Sequence, residues 1–533
     1  MYINKFLIFM GLLLAGCGTN KAVKPMQIAT SNPTNLQDSY TTSSSVYGVD
    51  SAGPNARIAV LLPENGSAKS IGHDIKTSIE TAFLRQPKSN IKVSFYDLSG
   101  DTTRRDMVIK TALDNDPDVI IGPVFSEDVA MLRDAKPSRI PAISFTSDVN
   151  SLGDNVMTVN LIPTQSIETI VHQMVKDGAT SMVVLAPEDN SGQMMAAVAD
   201  KVSSAYNIPI KGLFYYQPNN PDSIKDVSMR ASMYNVRSAA NNRAREILSD
   251  ILNKESLNSE TRYSIRSQLE KISRTDTLGK LPYDAVLFLG NGEDSKTIAS
   301  FLRYYGVGNR DAGLYGTTLW NGADIASDFT MSGAKYATLP EISDNFKSLY
   351  NMMAGKDPDY LAAFGYDAAN MALGLIYSPK NQSAYLFDPS GYIGTTGVFR
   401  IQPTGESERT LRILELNGTG TANTFVPAPA NFLTQLYSIN TNNLRQIPEK
   451  EIKEGINPGD YIKIPDNLRH KSAYRTRTIG AKNMTTNEEP APISAPVVIY
   501  ASENTETVSN PEFESVKSET VSRKYIDSVE VSE

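Results

Sequence analysis

The chain reads as an α/β protein of two lobes, each a parallel sheet flanked by helices, with a helical insertion in the second lobe. Three observations carry this reading. Between Arg57 and Asp148 short β-rich apolar runs alternate with helical repeats; the same rhythm starts again at Ser181; and a polar, helix-patterned stretch from Asp222 to Gly279 interrupts the second series before it resumes. Parallel strands need long crossovers, usually helices lying on the sheet faces, so this alternation implies parallel sheets covered on both sides.

The first series opens with Arg57-Ile-Ala-Val-Leu-Leu-Pro63, an apolar run ended by proline. Ile71, Ile75, Ile79, Ala82 and Phe83 then recur at helical spacing. Ile91 to Leu98 is rich in the β-branched and aromatic residues that strands favour. A helix is predicted from about Thr103 to Leu113, a buried strand over Asp118 to Val124, a short helix over Ser126 to Lys136, and a strand over Pro141 to Ser147. Ligands of such sheets sit beyond the carboxyl ends of the strands, which points to Pro63–Ser67, Val124–Ser126 and Phe145–Asp148.

Val156 to Ile162 is a further extended run, followed by a helix with Ile167, Ile170, Val171, Met174 and Val175 on one face, stopped at Gly178. The second series is a strand at Ser181–Pro187, a helix to about Tyr206 and a strand over Ile210–Tyr216. The Asp222–Gly279 insertion is rich in basic residues, among them Lys225, Arg230, Arg237, Arg243, Arg245, Lys254, Arg262, Arg266 and Lys271. They fit either a solvated helix face or a partner-binding surface. Beyond it come a strand at Tyr283–Gly290, a helix at Ser295–Tyr305, a strand at Leu314–Trp320, helices at Glu341–Met353 and Tyr360–Ile376, and strands at Gly394–Ile401 and Leu411–Leu416.

The ends differ in kind. Lys5, the apolar run Phe6 to Leu14 and Ala15-Gly16 make a secretory signal peptide. Leu14-Ala-Gly-Cys17 resembles the bacterial lipobox, which implies acylation of Cys17, the single cysteine of the chain, and a membrane contact by lipid anchor only. Gly18, where an aspartate would resemble the signal for inner-membrane retention, favours the outer membrane, facing the periplasm. Residues 18–56 read as a flexible tether, 421–469 as an extension packed on the domain, and 470–533 as a disordered tail, too polar to offset the entropy of ordering. A net charge of -8 shows no basic footprint for a nucleic acid.

The order of several motifs makes the fold specific. Ala59-Val-Leu-Leu-Pro63, Gly72, Ala82, Tyr96-Asp97, Ile120-Ile-Gly-Pro-Val-Phe-Ser126 and Ile140-Pro-Ala-Ile-Ser144 resemble the type I periplasmic-binding-protein fold of the leucine-binding-protein class. Phe364-Gly-Tyr-Asp-Ala-Ala369 and Gly394-Thr-Thr-Gly-Val-Phe399 are similar to its later signatures. The insertion, followed by Asp284-Ala-Val-Leu-Phe-Leu289 and Ile298-Ala-Ser-Phe-Leu-Arg-Tyr-Tyr305, is similar to the LppC/YraM-like lipoprotein branch, which includes the penicillin-binding protein activators. The resemblance implies two lobes discontinuous in sequence: residues 57–160 with 335–392, and 161–334 with 393–420, the insertion at 222–279 belonging to the second. It implies three crossing segments, near Thr158–Pro163, Gly322–Ala337 and Ser390–Phe399. It implies as partner a class A penicillin-binding protein, whose peptidoglycan synthesis the protein stimulates.

If a small ligand such as an amino acid or a peptidoglycan fragment binds, Ser126, Thr146 and Ser147 are the candidates in lobe one, where hydroxyls and helix-start amides hold a carboxylate. In lobe two the candidates are Asp189 for an amino group, Asn291, and Trp320 as a pocket wall. The competing account of all six is caps, turns and packing. Enzyme chemistry is not expected. His73, His172 and His470 are dispersed without metal-ligand spacing, and neither a nucleophile elbow nor a phosphate-binding loop occurs. Ser89-Asn-Ile-Lys92 and Ser343-Asp-Asn345 match two penicillin-recognising motifs, but Lys92 falls in a predicted strand and no Lys-Thr-Gly completes the set. No cofactor or metal is expected. The reading is an outer-membrane regulator of cell-wall synthesis acting by contact; the alternative is a solute receptor feeding an ABC transporter.

Overall fold

Alternate residues of the strand Ala56–Leu62 are buried on opposite faces of a five-stranded parallel sheet. Ile58, Val60 and Leu62 pack with Ile75 and Ile79 of the helix Lys69–Leu84 and with Phe364 and Ala368 of the helix Tyr360–Tyr377. Ala59 and Leu61 pack with Ile109 of the helix Thr102–Asp114 and with Val129 and Leu132 of the helix Ser126–Ala135. Burial on both faces explains why the strand reads as one apolar run. A computed structural model describes residues 32–35, 56–85, 91–378, 382–432 and 444–480. The expected signal peptide with Cys17, most of the tether and the tail from 481 lie outside the described residues.

The five strands run in the order Ile91–Asp97, Ala56–Leu62, Val119–Ile121, Ala142–Ser144, Val156–Thr158. A second, seven-stranded sheet runs Ala422–Val426, Arg412–Leu416, Lys335–Thr338, Gly313–Gly316, Ala285–Phe288, Met182–Pro187, Ile210–Tyr216. Its five inner and far strands are parallel, and the two at the Ala422 edge are antiparallel. A small third sheet joins Tyr392–Gly394, Gly397–Ile401 and Ser407–Arg409. One apolar cluster is continuous from Val60 and Ile121 of the first sheet to Val184 and Leu287 of the second.

Several sequence expectations need correction. Lys335–Thr338, expected to open the second part of lobe one, pairs with Gly313–Gly316 and Arg412–Leu416 in the seven-stranded sheet. The second crossing therefore lies after Thr338 rather than before it. A four-residue apolar strand carries no mark of the sheet it joins. The expected third crossing, Ser390–Phe399, lies in the small sheet; the chain reaches the seven-stranded sheet only at Arg412. Within the tether, Thr34 and Asn35 pair in parallel with Tyr392 and Ile393, so that stretch is docked. The disordered tail was expected from 470, yet the Tyr474 side chain is buried and Ile479 bridges to Ile456.

The insertion is three helices, Pro221–Ala231, Tyr234–Lys254 and Ser259–Ser273. Residues 444–480 strap it to the seven-stranded sheet. Lys450 bridges to Leu213 on the edge strand, and Glu449 and Glu451 pair with Arg230 at 2.7 and 2.5 Å. Ile462, Ile464, Leu468 and Tyr474 fill the seam between the second and third insertion helices. Much of the insertion's positive charge is engaged internally. Arg237 is buried and donates to the carbonyls of Tyr305 and Gly306 at 3.3 and 3.1 Å, Arg243 donates to that of Ala473 at 3.0 Å, and Lys254 pairs with Asp250 at 2.8 Å. Among the described residues no helix is long and apolar enough to cross a membrane.

Because the strap closes the helix seam, Ile464→Ala should cost about 2–4 kcal/mol in denaturant unfolding. Amide exchange should accelerate in Tyr234–Lys254 and Ser259–Ser273; unchanged protection there would show that the strap does not hold these helices.

Candidate functional site

The carboxyl ends of the strands form two polar rims, one on each large sheet. On the first, the chain turns sharply after Ile121. Gly122 has φ +97°, and a Cβ there would lie 2.2 Å from the Leu61 carbonyl oxygen, so glycine is required in Ile120-Ile-Gly-Pro. The neighbouring loops are tied by Asp97. Its carboxylate accepts from the Glu64 amide at 3.0 Å, the Ser99 amide at 3.1 Å, Asn65 Nδ2 at 2.9 Å and Arg104 Nη2 at 2.9 Å. Burial alone would raise the Asp97 pKa, but these donors, with the Ser99 hydroxyl first among them, hold it well below the usual carboxylate range.

Ser126 starts the helix Ser126–Ala135, half-buried, with Glu127 and Asp128 in the same first turn. Two carboxylates already answer the positive helix end, and both pair with Arg105, at 3.0 and 2.8 Å. Burial pushes Asp128 up to about 6 against the pull of Arg105. This electrostatic setting works against a second, ligand carboxylate. Thr146 is buried; its Oγ1 accepts from the Asp148 amide at 3.0 Å, and its carbonyl accepts from Thr158 Oγ1 at 2.7 Å. Ser147 is exposed beside it.

On the second rim Asp189 caps the helix Asn190–Ala205 through the Gly192 amide at 2.7 Å. Asn291 caps Gly292–Tyr304, accepting from the Asp294 amide at 2.8 Å and donating Nδ2 to Asp294 Oδ2 at 2.9 Å. Between these caps stands Tyr216, 1% exposed, at the end of its strand. Its hydroxyl has no hydrogen-bond partner among the described residues, and a Cβ on Gly290 would lie 1.8 Å from it. Burial, then Asp294 and Asp189, oppose its ionisation. Tyr216 and Asp294 escaped sequence reasoning because one ends a strand that reads as pure core and the other sits within a helix start.

Trp320 does not line a pocket. It is 1% exposed, packs between Phe288 and Tyr336 at ring distances of 5.7 Å each, and donates Nε1 to Ser295 Oγ at 3.0 Å. Its indole lies against Gly316, where a Cβ would approach it to 2.3 Å. A groove of about 120 Å³ lies elsewhere, lined by Arg57, Lys92, Tyr96 and Asn115 among others and by none of the six candidates. Among the described residues no group of three or more His, Cys, Asp or Glu is placed to hold a metal ion.

The model of the family described as periplasmic binding protein matches residues 55–229. A branched-chain amino acid ABC transporter protein from Rhodospirillum rubrum superimposes with a TM-score of 0.53 at 17% identity, over 69% of this chain and 99% of that one. The chain has the type I periplasmic-binding-protein fold. Within that fold, penicillin-binding protein activator LpoA of Pasteurella multocida is 22% identical over 204 residues, 36% of this chain and 35% of the relative. The protein of the same name from Haemophilus ducreyi is 27% identical over 165 residues, 30% of this chain and 27% of the relative. The resemblance to the branch that includes the activators thus stands, over 35% and 27% of the length of these two curated relatives.

A half-buried acid, Glu168, stands on the helix Thr164–Lys176. It is pushed up to about 8 by burial and then by Glu408, with a hydrogen bond from Tyr206 pulling the other way. Its Oε1 is buried without a hydrogen-bond partner among the described residues.

Two consequences are measurable. Trp320→Ala should cost about 3–5 kcal/mol in denaturant unfolding, the cost of an emptied core site. Glu168 favours the folded state while neutral, so its contribution is complete below the ordinary glutamate pKa and is lost as pH rises toward 8. Glu168→Gln should therefore flatten the fall in melting temperature between pH 5 and pH 8, which parallel melts of the two proteins would reveal.

Proposed function

We propose that the chain is a non-catalytic, periplasm-facing lipoprotein that regulates a class A penicillin-binding protein by surface contact. In this reading Cys17 carries the lipid anchor and Gly18 directs it to the outer membrane. The observation that carries the reading is the partial similarity to two penicillin-binding protein activators. The state of the rims supports it: Thr146, Asp189 and Asn291 cap turns or helices, and Trp320 is core.

The experiment is glycan polymerisation by a purified class A penicillin-binding protein with and without the full chain, alongside direct binding. The reading expects saturable binding and a several-fold faster rate. Binding without a rate change would reduce the role to that of a scaffold, and no binding would remove the reading.

One observation favours a second reading, a receptor for a polar solute. The Tyr216 hydroxyl, without a partner among the described residues, lies in the field of Asp189 and Asp294, a setting that suits the amino group of an amino acid. Tyr216→Phe would then weaken solute binding at least several-fold without lowering stability.

A further inference from the structure

Chain order and sheet pairing place the three crossings at residues 159–163, 339–343 and 410–411. One side chain reaches the first of them and elements that flank the other two. Arg409 ends the last strand of the small sheet and is 3% exposed. Its Nε donates to the Val159 carbonyl at 3.1 Å, a bond that Nη2 shares, and its Nη1 donates to Thr396 Oγ1 at 3.0 Å. Its guanidinium carbon stands 4.3 Å from the centre of the Phe364 ring and 4.5 Å from that of Phe399. Val159 belongs to the first crossing. Phe364 lies on the helix reached by the second. Thr396, in the turn between Tyr392–Gly394 and Gly397–Ile401, and Phe399, on the second of these strands, belong to the small sheet that precedes the third.

The surrounding bonds repeat the pattern. The Arg409 amide donates to Gln165 Oε1 at 3.1 Å, while Gln165 Nε2 donates to the Ser407 carbonyl and Ser407 Oγ to that of Asn160. The Thr158 amide donates to the Gly405 carbonyl at 2.9 Å. The Ser343 amide donates to the Thr395 carbonyl at 2.8 Å, the Thr395 amide to Asp367 Oδ1 at 2.8 Å, and Arg412 Nε to the Leu339 carbonyl at 3.0 Å.

We infer that Arg409 is an interlobe clasp: it ties the crossing segments to one another and holds the two large sheets at a single mutual angle. Hinge motion in two-lobed proteins concentrates in a few residues that change φ and ψ between the lobes. Here a cation withdrawn from water ties the first crossing to the elements that flank the other two. Moving the first crossing relative to the third would take a carbonyl or a hydroxyl away from a buried guanidinium, and a buried charge without its partners is costly. The two ring faces add cation–π attraction that is strongest in such a dry setting. This goes beyond the proposed regulatory role and stands without it, because it concerns the isolated chain.

The test is the distance distribution between spin labels on the full chain with Cys17→Ser, Met107→Cys and Tyr304→Cys, both label sites being exposed and on helices of different lobes. The clasp predicts one narrow peak, unmoved by an amino-acid panel, and its loss to a broad or double distribution in Arg409→Met. A parent that already shows two distances, or an Arg409→Met protein that melts cooperatively with the parent's peak, would overturn it. Thr396→Val removes one clasp bond at nearly constant volume and decides the matter if Arg409→Met does not fold: broadening supports the clasp, an unchanged peak refutes it.

Discussion

Everything in this domain depends on one constraint: two parallel sheets must each be covered on both faces, and the chain completes the cover of the first only after building most of the second. The helix Tyr360–Tyr377 shows the consequence. Nearly all of it is buried, against the Lys69–Leu84 helix and the first sheet, although some two hundred residues separate it from that sheet. The apolar cluster that runs between the sheets is the physical result. Polar groups caught beside the crossings must then find partners inside the protein, as Arg409 does with the Val159 carbonyl and Asp367 with the Thr395 amide.

The same constraint shapes the insertion. Its second and third helices leave an apolar seam that the sheet does not reach, and residues 444–480 return to fill it. Ile452 and Ile456 belong to the core of the seven-stranded sheet, so the strap joins two clusters. A partner of the insertion therefore meets its outer polar surface, since the apolar seam is already occupied.

Much of this was legible in residue order. Strand and helix positions in the first series follow from alternation and periodicity, because a doubly covered strand is apolar throughout and a surface helix is apolar on one side. What escaped was tertiary. Lys335–Thr338 gives no sign of which sheet it enters, and the short polar strap around Tyr474 is ordered by contacts with Glu255 and the insertion seam rather than by its own composition. At the rims, hydroxyls and carboxylates after strand ends were recognisable as candidates, but capping and ligand binding use the same residues. Only geometry separates an Asp189 bonded to Gly192 from one held free. Sequence leaves Trp320 open between the two accounts because a lone tryptophan after a strand fits a pocket wall as well as a core, and the close approach of Gly316 is invisible in sequence.

Structural rims and receptive rims imply different roles for the protein. Melting of the full chain against a panel of amino acids and peptidoglycan fragments tests this most directly. If the caps and turns are structural, no compound shifts the transition. A ligand at a hundred times its dissociation constant would add about 2.7 kcal/mol of stability; such a shift with one amino acid, lost in Asp189→Ala, would contradict the account and make the protein a solute receptor.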